Sequence, residues 1–281
     1  MLINTGLYTF EVKANQHIVQ KGIDFIYGDA APTSNPPDFC ISLKYSSILR
    51  SIIKPQVSFY CDQHSPFKPL NATQAYALLE WGLNWCIAAH DYTRLIVHAA
   101  VLVKNNKAII FPARPGSGKS TLTAYLALSG WRLYSDEMAI IELESGLVNP
   151  LYRPVCLKND SIDLVKTWFP KSQMTTVCKD TQKGDVAHLK GSSWRNFSEY
   201  VPVEIVGVVF PKYNKHKELT IYQLDQLDAF KTLSENAFNY GVIGYQGFKA
   251  VDRVIKKAAL FEIEYNDLSD VESFLLEELI R

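Results

Sequence analysis

Cysteine is scarce in this sequence, and its placement excludes the usual metal and dithiol chemistry. The five cysteines, Cys40, Cys61, Cys86, Cys156 and Cys178, are odd in number and widely scattered. None belongs to a C-x-x-C pair, so reduced thiols are the expected state. An excess of charge is missing too. Lys+Arg and Asp+Glu both number 29, which leaves no bulk field to draw the chain to nucleic acid or an anionic membrane. The one basic cluster, Lys212, Lys215, His216 and Lys217, falls between two apolar runs and reads as a solvated hairpin loop. No segment holds the ~18 uninterrupted apolar residues of a membrane span. The opening MLINTGLYTFEVKANQ reaches charged residues without the apolar core of a signal peptide. These absences predict a cytoplasmic protein without a nucleic-acid or membrane partner, and they are compatible with a homo-oligomer.

What is present suffices for a large core. With 281 residues, 47% of them hydrophobic, the chain can fold as one extended domain or as two closely joined lobes. Residues 1 to about 70 alternate short β-type stretches with turn clusters such as Tyr27-Gly28-Asp29, and predict several short strands. Residues 72–89 place Ala75, Leu78, Leu79, Gly82, Trp85, Cys86 and Ala89 at helical spacing, with Asn71 positioned to cap. A β-rich region over 1–90 with a helix at 72–89 is therefore expected, followed by a second domain over 91–281.

In that second domain, Leu95–Val103 and Ala108–Phe111 predict an antiparallel hairpin turning at residues 104–107. The second run feeds the loop Ala113-Arg114-Pro115-Gly116-Ser117-Gly118-Lys119-Ser120, which departs from G-x-x-x-x-G-K-[ST] only at its first position. Gly116 and Gly118 permit backbone geometries in which successive N–H groups point at one anion, and a helix starting after them adds partial positive charge. Lys119 would then reach the β- and γ-phosphates, and Ser120 would ligate the Mg²⁺ they share. Pro115 presets a rigid approach to the loop. Residues 121–129 carry Leu122, Tyr125, Leu126 and Ser129 at i, i+3, i+4 and i+7, with Gly130 as a helix stop. The next strand should end at Asp136-Glu137, where an acidic residue is placed to hold Mg²⁺ or to take a proton from an attacking hydroxyl. Farther on, 203–210, 219–224 and 260–265 predict strands, and 227–240, 248–259 and 269–280 predict helices.

The stretch from Val97 to Glu142, VHAAVLVKNNKAIIFPARPGSGKSTLTAYLALSGWRLYSDEMAIIE, resembles the catalytic domain of HPr kinase/phosphorylase. A histidine-bearing strand precedes the loop, and a Gly130-Trp131-Arg132-Leu133 turn leads to the acidic pair. The chain is more closely similar to the HprK-related kinase A group, through LLEWGLNWCIA (78–88), RPVCLKND (153–160) and KGDVAHLK (183–190). The resemblance implies an α/β fold, a P-loop core with a mixed sheet of the HPr kinase type behind a β-rich N-terminal region. It implies an ATP- and Mg²⁺-dependent kinase, with Pro115, Gly116, Ser117, Gly118, Lys119, Ser120 and Thr121 around the phosphates. It makes Asp136 the general base, Glu137 a metal or positioning partner beside the metal ligand Ser120, and His98 a neighbour of the reacting phosphate. Arg153, Lys158, Lys183 and His188 are further cationic candidates for transition-state charge. The acceptor it implies is a Ser/Thr hydroxyl of a protein or peptide. A metabolite kinase and a non-catalytic ATP-dependent switch remain open on the same core.

Overall fold

The computed structural model describes residues 1–33, 36–47, 49–113 and 116–280. It divides into two compact units, Met1–His90 with Tyr152–Glu199, and Asp91–Leu151 with Tyr200–Arg281. Residues 152–199, which the sequence reading placed in a continuous 91–281 domain, thus share a unit with the first ninety.

The first unit opens with β1 (Leu2–Asn4), β2 (Thr9–Ala14), α1 (His17–Tyr27), β3 (Phe39–Tyr45), α2 (Leu49–Ile52), β4 (Gln56–Cys61) and β5 (Leu70–Asn71). The five strands form one sheet in sequence order, with β2 and β3 parallel. α1 supplies the crossover that a parallel pair requires; it buries Val19, Gly22, Ile23, Ile26 and Tyr27, an i, i+3, i+4, i+7, i+8 stripe. The sequence reading expected only strands here. A 3₁₀ turn at Ala72–Gln74, capped by the Asn71 side chain accepting from the Thr73 amide, leads into α3 (Ala75–His90). Gly82, unfavourable by helix propensity, is required by packing: a Cβ there would stand 2.0 Å from the Phe59 ring.

The chain then enters the second unit with β6 (Arg94–Val97), β7 (Ala99–Lys104), β8 (Lys107–Pro112), α4 (Lys119–Leu128), β9 (Arg132–Ser135), β10 (Ala139–Glu142) and β11 (Val148–Asn149). β7 and β8 form the expected hairpin. Asn105 and Asn106 both take φ > 0 at its tip, the geometry a two-residue hairpin turn demands. The expected single run Leu95–Val103 is broken at His98, and β6 joins a separate three-stranded sheet, β11-β10-β6.

Back in the first unit, β12 (Val155–Lys158), α5 (Asp160–Trp168), β13 (Cys178–Thr181), β14 (Gly184–Leu189) and α6 (Trp194–Phe197) follow. Their sheet has the order β12-β14-β13. It is tied to the segment before α3 by the Gln74 amide, which donates to the carbonyls of Lys179 and Asp180 at 2.9 and 2.8 Å.

The second unit closes with β15 (Glu204–Tyr213), β16 (Thr220–Gln223), α7 (Gln226–Glu235), α8 (Tyr240–Ile243), α9 (Tyr245–Lys257), β17 (Ala259–Tyr265) and α10 (Leu268–Glu278). Its main sheet is mixed, in the order β16-β17-β15-β8-β7-β9. β8, β15 and β17 are mutually parallel, and β9, antiparallel to β7, runs with them. One face of the sheet, including Val101, Val103, Ala108, Ile110, Val208 and Leu260, packs on Ala229 and Leu233 of α7 and on Val251, Val254 and Ile255 of α9. Each buried Val, Leu or Ile side chain of this cluster contributes about 1.5–3 kcal/mol, which fixes the strands whose ends carry the site. The basic segment at 212–217 is not a hairpin loop, because β17 lies between β15 and β16. Among the described residues no helix is long and apolar enough to cross a membrane.

Candidate functional site

Four strands pointing the same way bring their carboxyl ends to one edge of the main sheet, the edge where open α/β sheets bind ligands. β8 delivers the glycine loop to that edge, and β9 delivers Asp136. Arg114 and Pro115 lie outside the described residues, so the expected role of Pro115 is not addressed. Gly116 and Gly118 have φ of +87° and +86°, a region that costs other L-residues roughly 1–2 kcal/mol. At Gly118 space demands glycine as well: an added Cβ would lie 2.8 Å from Tyr213 Cβ and 3.1 Å from Tyr265 Oη. Around Gly116 there is open room.

α4 begins at Lys119 with Gly118 as its N-cap, and glycine has no side chain to satisfy the first-turn amides. Those N–H groups carry the positive end of the helix dipole. Lys119 is buried, and its ammonium donates to the Asp136 carbonyl while lying 3.9 Å from Asp136 Oδ1. Ser120 Oγ donates to Asp136 Oδ2 at 3.1 Å. Asp136 is itself only 1% exposed, and a buried carboxyl group needs a charge partner and hydrogen-bond donors. Lys119 and Ser120 supply both. Thr121 follows on the same turn and is partly exposed.

Glu137, also partly exposed, occupies the link between β9 and β10. Its surroundings follow from register. Val97 pairs with Ala139 and Val101 pairs with Ser135, so His98–Ala100 and Asp136–Met138 face each other across one gap between two ladders. Carried through the gap, that register sets Ala100 opposite Asp136, Ala99 opposite Glu137 and His98 opposite Met138, so His98 stands one position beyond the acidic pair although it lies 38 residues before Asp136. His98 is not embedded in a continuous strand; its amide donates to Asn236 O at 2.8 Å and its ring packs 5.6 Å from Phe238. Asn239 clamps this side, its Oδ1 accepting from the Ile96 amide at 3.0 Å and its Nδ2 donating to the carbonyls of Asp91 and Arg94.

Of the four cationic candidates, Arg153, Lys183 and His188 make side-chain contacts inside the first unit. Arg153 Nη2 donates to Glu80 Oε2 and to the Glu80 carbonyl, both at 2.8 Å. His188 packs edge-on against Tyr76, and Lys183 lies over the Trp81 ring. The Lys158 amide donates to Ser161 Oγ. None of these contacts involves the Lys119 cluster.

The sequence reading missed Tyr213 and Tyr265, which flank the glycine loop. The signal was available in two apolar runs, VVFPKY and LFEIEY, that each end in tyrosine. Tyr213 N donates to Ser117 O at 2.9 Å. Beside them Glu264 binds Lys212 and Lys217, whose hydrogen bonds hold its carboxyl at about 2.

Among the described residues no group of three or more His, Cys, Asp or Glu side chains could hold a metal by itself. The hydroxyl and carboxylate that converge at Ser120 and Asp136 are hard oxygen donors. They fit Mg²⁺, which keeps several waters and takes one or two protein oxygens together with substrate phosphates. Comparison with protein-family models and with curated proteins returns no match.

Proposed function

We propose that this chain is an ATP-dependent phosphotransferase with a P-loop core, acting on a Ser/Thr hydroxyl of a protein or peptide. The observation that carries the reading is the convergence of Lys119, Ser120 and Asp136 at the start of α4, behind two left-handed glycines. A structural ion pair explains Lys119 and Asp136 alone. It does not explain why they sit at an uncapped helix N-terminus on the carboxyl edge of the sheet, together with a hydroxyl of metal-ligating type. The resemblance to HPr kinase supports the reaction class and favours a Ser/Thr hydroxyl over another acceptor.

In this mechanism the loop amides of 116–121 and the ammonium of Lys119 hold the phosphate chain, Lys119 exchanging the Asp136 carbonyl for a phosphate oxygen. Ser120 and Asp136 would hold Mg²⁺, which when bound neutralises charge developing between the β- and γ-phosphates. The direct Ser120–Asp136 hydrogen bond supports a metal-side role for Asp136, where the resemblance implies the general base there and the metal or positioning role at Glu137. In this reading Glu137 is the base, because it is partly exposed where Asp136 is buried. Glu137 takes the acceptor proton as the acceptor oxygen bonds to the γ-phosphorus and the bond to the β–γ bridging oxygen breaks, releasing ADP. His98, on the segment that faces 136–138, would orient the acceptor or the transferred group.

The test is transfer of label from [γ-³²P]ATP in a lysate supplemented with the purified chain. The reading predicts a labelled macromolecular band that disappears with Lys119→Ala. Label confined to a small soluble product would replace the acceptor by a metabolite, and label found only as free phosphate would replace the kinase by an ATP-driven switch.

A further inference from the structure

We infer that the exposed ring of Tyr213 is the platform on which the base of the bound nucleotide stacks. This rests on the phosphotransfer reading above. Across the binding edge, the glycine loop after β8 has two flanks. On one, beyond β7, β9 leads into Asp136 and Glu137; on the other, β15 ends at Tyr213 and β17 at Tyr265. The phosphate being transferred has to lie at the acidic flank. The rest of the nucleotide must then leave the loop toward the tyrosines.

Tyr213 is held for that task. Its amide donates to the carbonyl of Ser117 within the loop at 2.9 Å, and its Cβ closes over Gly118. Its ring meets Tyr265 edge-on, with centroids 6.0 Å apart and planes at 70°. Tyr265 is buried, and that burial pushes its hydroxyl pKa upward, so it stays neutral as a wall. Tyr213 as a residue is nevertheless 53% exposed, although it is braced against buried structure. Strand alternation sends Lys212 and Glu264 to the opposite face, where their ion pair does not compete for the ring. The following loop is folded back by Asn214 N donating to Tyr265 O at 2.8 Å and by Lys217 bonding Glu264 Oε2 at 2.8 Å. A rigid, half-exposed aromatic face beside a phosphate-holding loop suits a purine, because every base offers a π-face and stacking needs no hydrogen-bond code.

The test compares Mg·ATP with Mg·tripolyphosphate, which has the phosphates and lacks the nucleoside, by calorimetric titration of the full chain. The wild type should bind ATP more tightly than tripolyphosphate. Tyr213→Ala should weaken ATP by roughly 5- to 150-fold, the span of one base–aromatic stack, and leave tripolyphosphate within about twofold. Tyr213→Phe should match the wild type for both ligands. Tyr213→Leu, which keeps bulk over Gly118 without a π-face, should behave like the alanine variant and covers the case in which alanine disturbs folding. Unchanged ATP affinity in the Ala and Leu variants, or equal weakening of both ligands, overturns the inference. So does a wild type that binds the two ligands equally, with the phosphate site left standing. A wild type that binds neither ligand defeats the phosphotransfer reading, and this one with it.

Discussion

Ser120 Oγ donates to Asp136 Oδ2 at 3.1 Å, joining the first turn of α4 to the residue that follows β9. That contact separates the two members of the acidic pair. Asp136 is buried against the loop and its lysine, while Glu137 is partly exposed. Two neighbouring carboxyl groups thereby acquire different environments and, in the proposed mechanism, different tasks.

Substitution of the pair distinguishes these tasks. Glu137→Gln should retain Mg·ATP binding while turnover with any labelled acceptor falls by roughly 10²- to 10⁴-fold, the usual share of general base catalysis. Asp136→Asn should instead raise the Mg²⁺ concentration needed for half-maximal rate. The two assignments exchange if Asp136→Asn abolishes turnover at unchanged Mg²⁺ dependence and Glu137→Gln shifts that dependence.

Arg153 has a structural role in the first unit. Its guanidinium meets a Glu80 carboxylate that also accepts from Tyr76 Oη and Tyr27 Oη, and both charged side chains are almost completely buried. Arg153→Met should cost about 3–5 kcal/mol in chemical denaturation, because it strands a buried carboxylate. Adding Glu80→Leu should recover much of that loss. A single variant of near wild-type stability would show that Glu80 has other support and would return Arg153 to the list of candidate phosphate ligands.

The acid side of the stability profile should carry a signature of Glu264. Hydrogen bonds from Lys212 and Lys217 lower its carboxyl from an ordinary value of 4.5 to about 2. Between those values the unfolded chain binds more protons than the folded one, so stability rises with pH through this window. The contribution is complete above 4.5 and lost as pH falls through about 2. Glu264→Gln should flatten the melting-temperature profile over that range, and added salt should flatten the wild-type profile, since both lysines are largely exposed. An unaltered profile in the variant would show that the ion pairs are as strong in the unfolded chain.

The parts of this arrangement that are local in sequence were legible there. The glycine loop, the helix from Lys119, its stop at Gly130 and the strand leading to Asp136 each follow from patterns within about ten residues. Long-range placement was not. β17 separates β15 from β16, so the basic segment read as a hairpin loop is a crossover, and nothing near Lys212 announces Glu264 as its partner. The break at His98 escaped detection because Leu95–Val103 is apolar almost throughout, while the change of sheet is decided by pairing with Ala139 and Ser135 on a later segment. Helix α1 was visible in the spacing of Val19, Ile23 and Ile26, but neighbouring turn residues masked it. Tyr213 became meaningful only once the parallel order put its strand beside the loop.

Thermal melting with and without Mg·ATP tests the nucleotide site most directly. A ligand that binds only the folded chain adds RT ln(1 + [L]/Kd), about 2.7 kcal/mol at a hundredfold excess over Kd. Millimolar Mg·ATP should therefore raise the wild-type melting temperature, and Lys119→Ala should remove most of the increment while melting as a folded protein without nucleotide. A wild-type transition that does not move in millimolar Mg·ATP would contradict the account, leaving Lys119, Ser120 and Asp136 as a structural cluster.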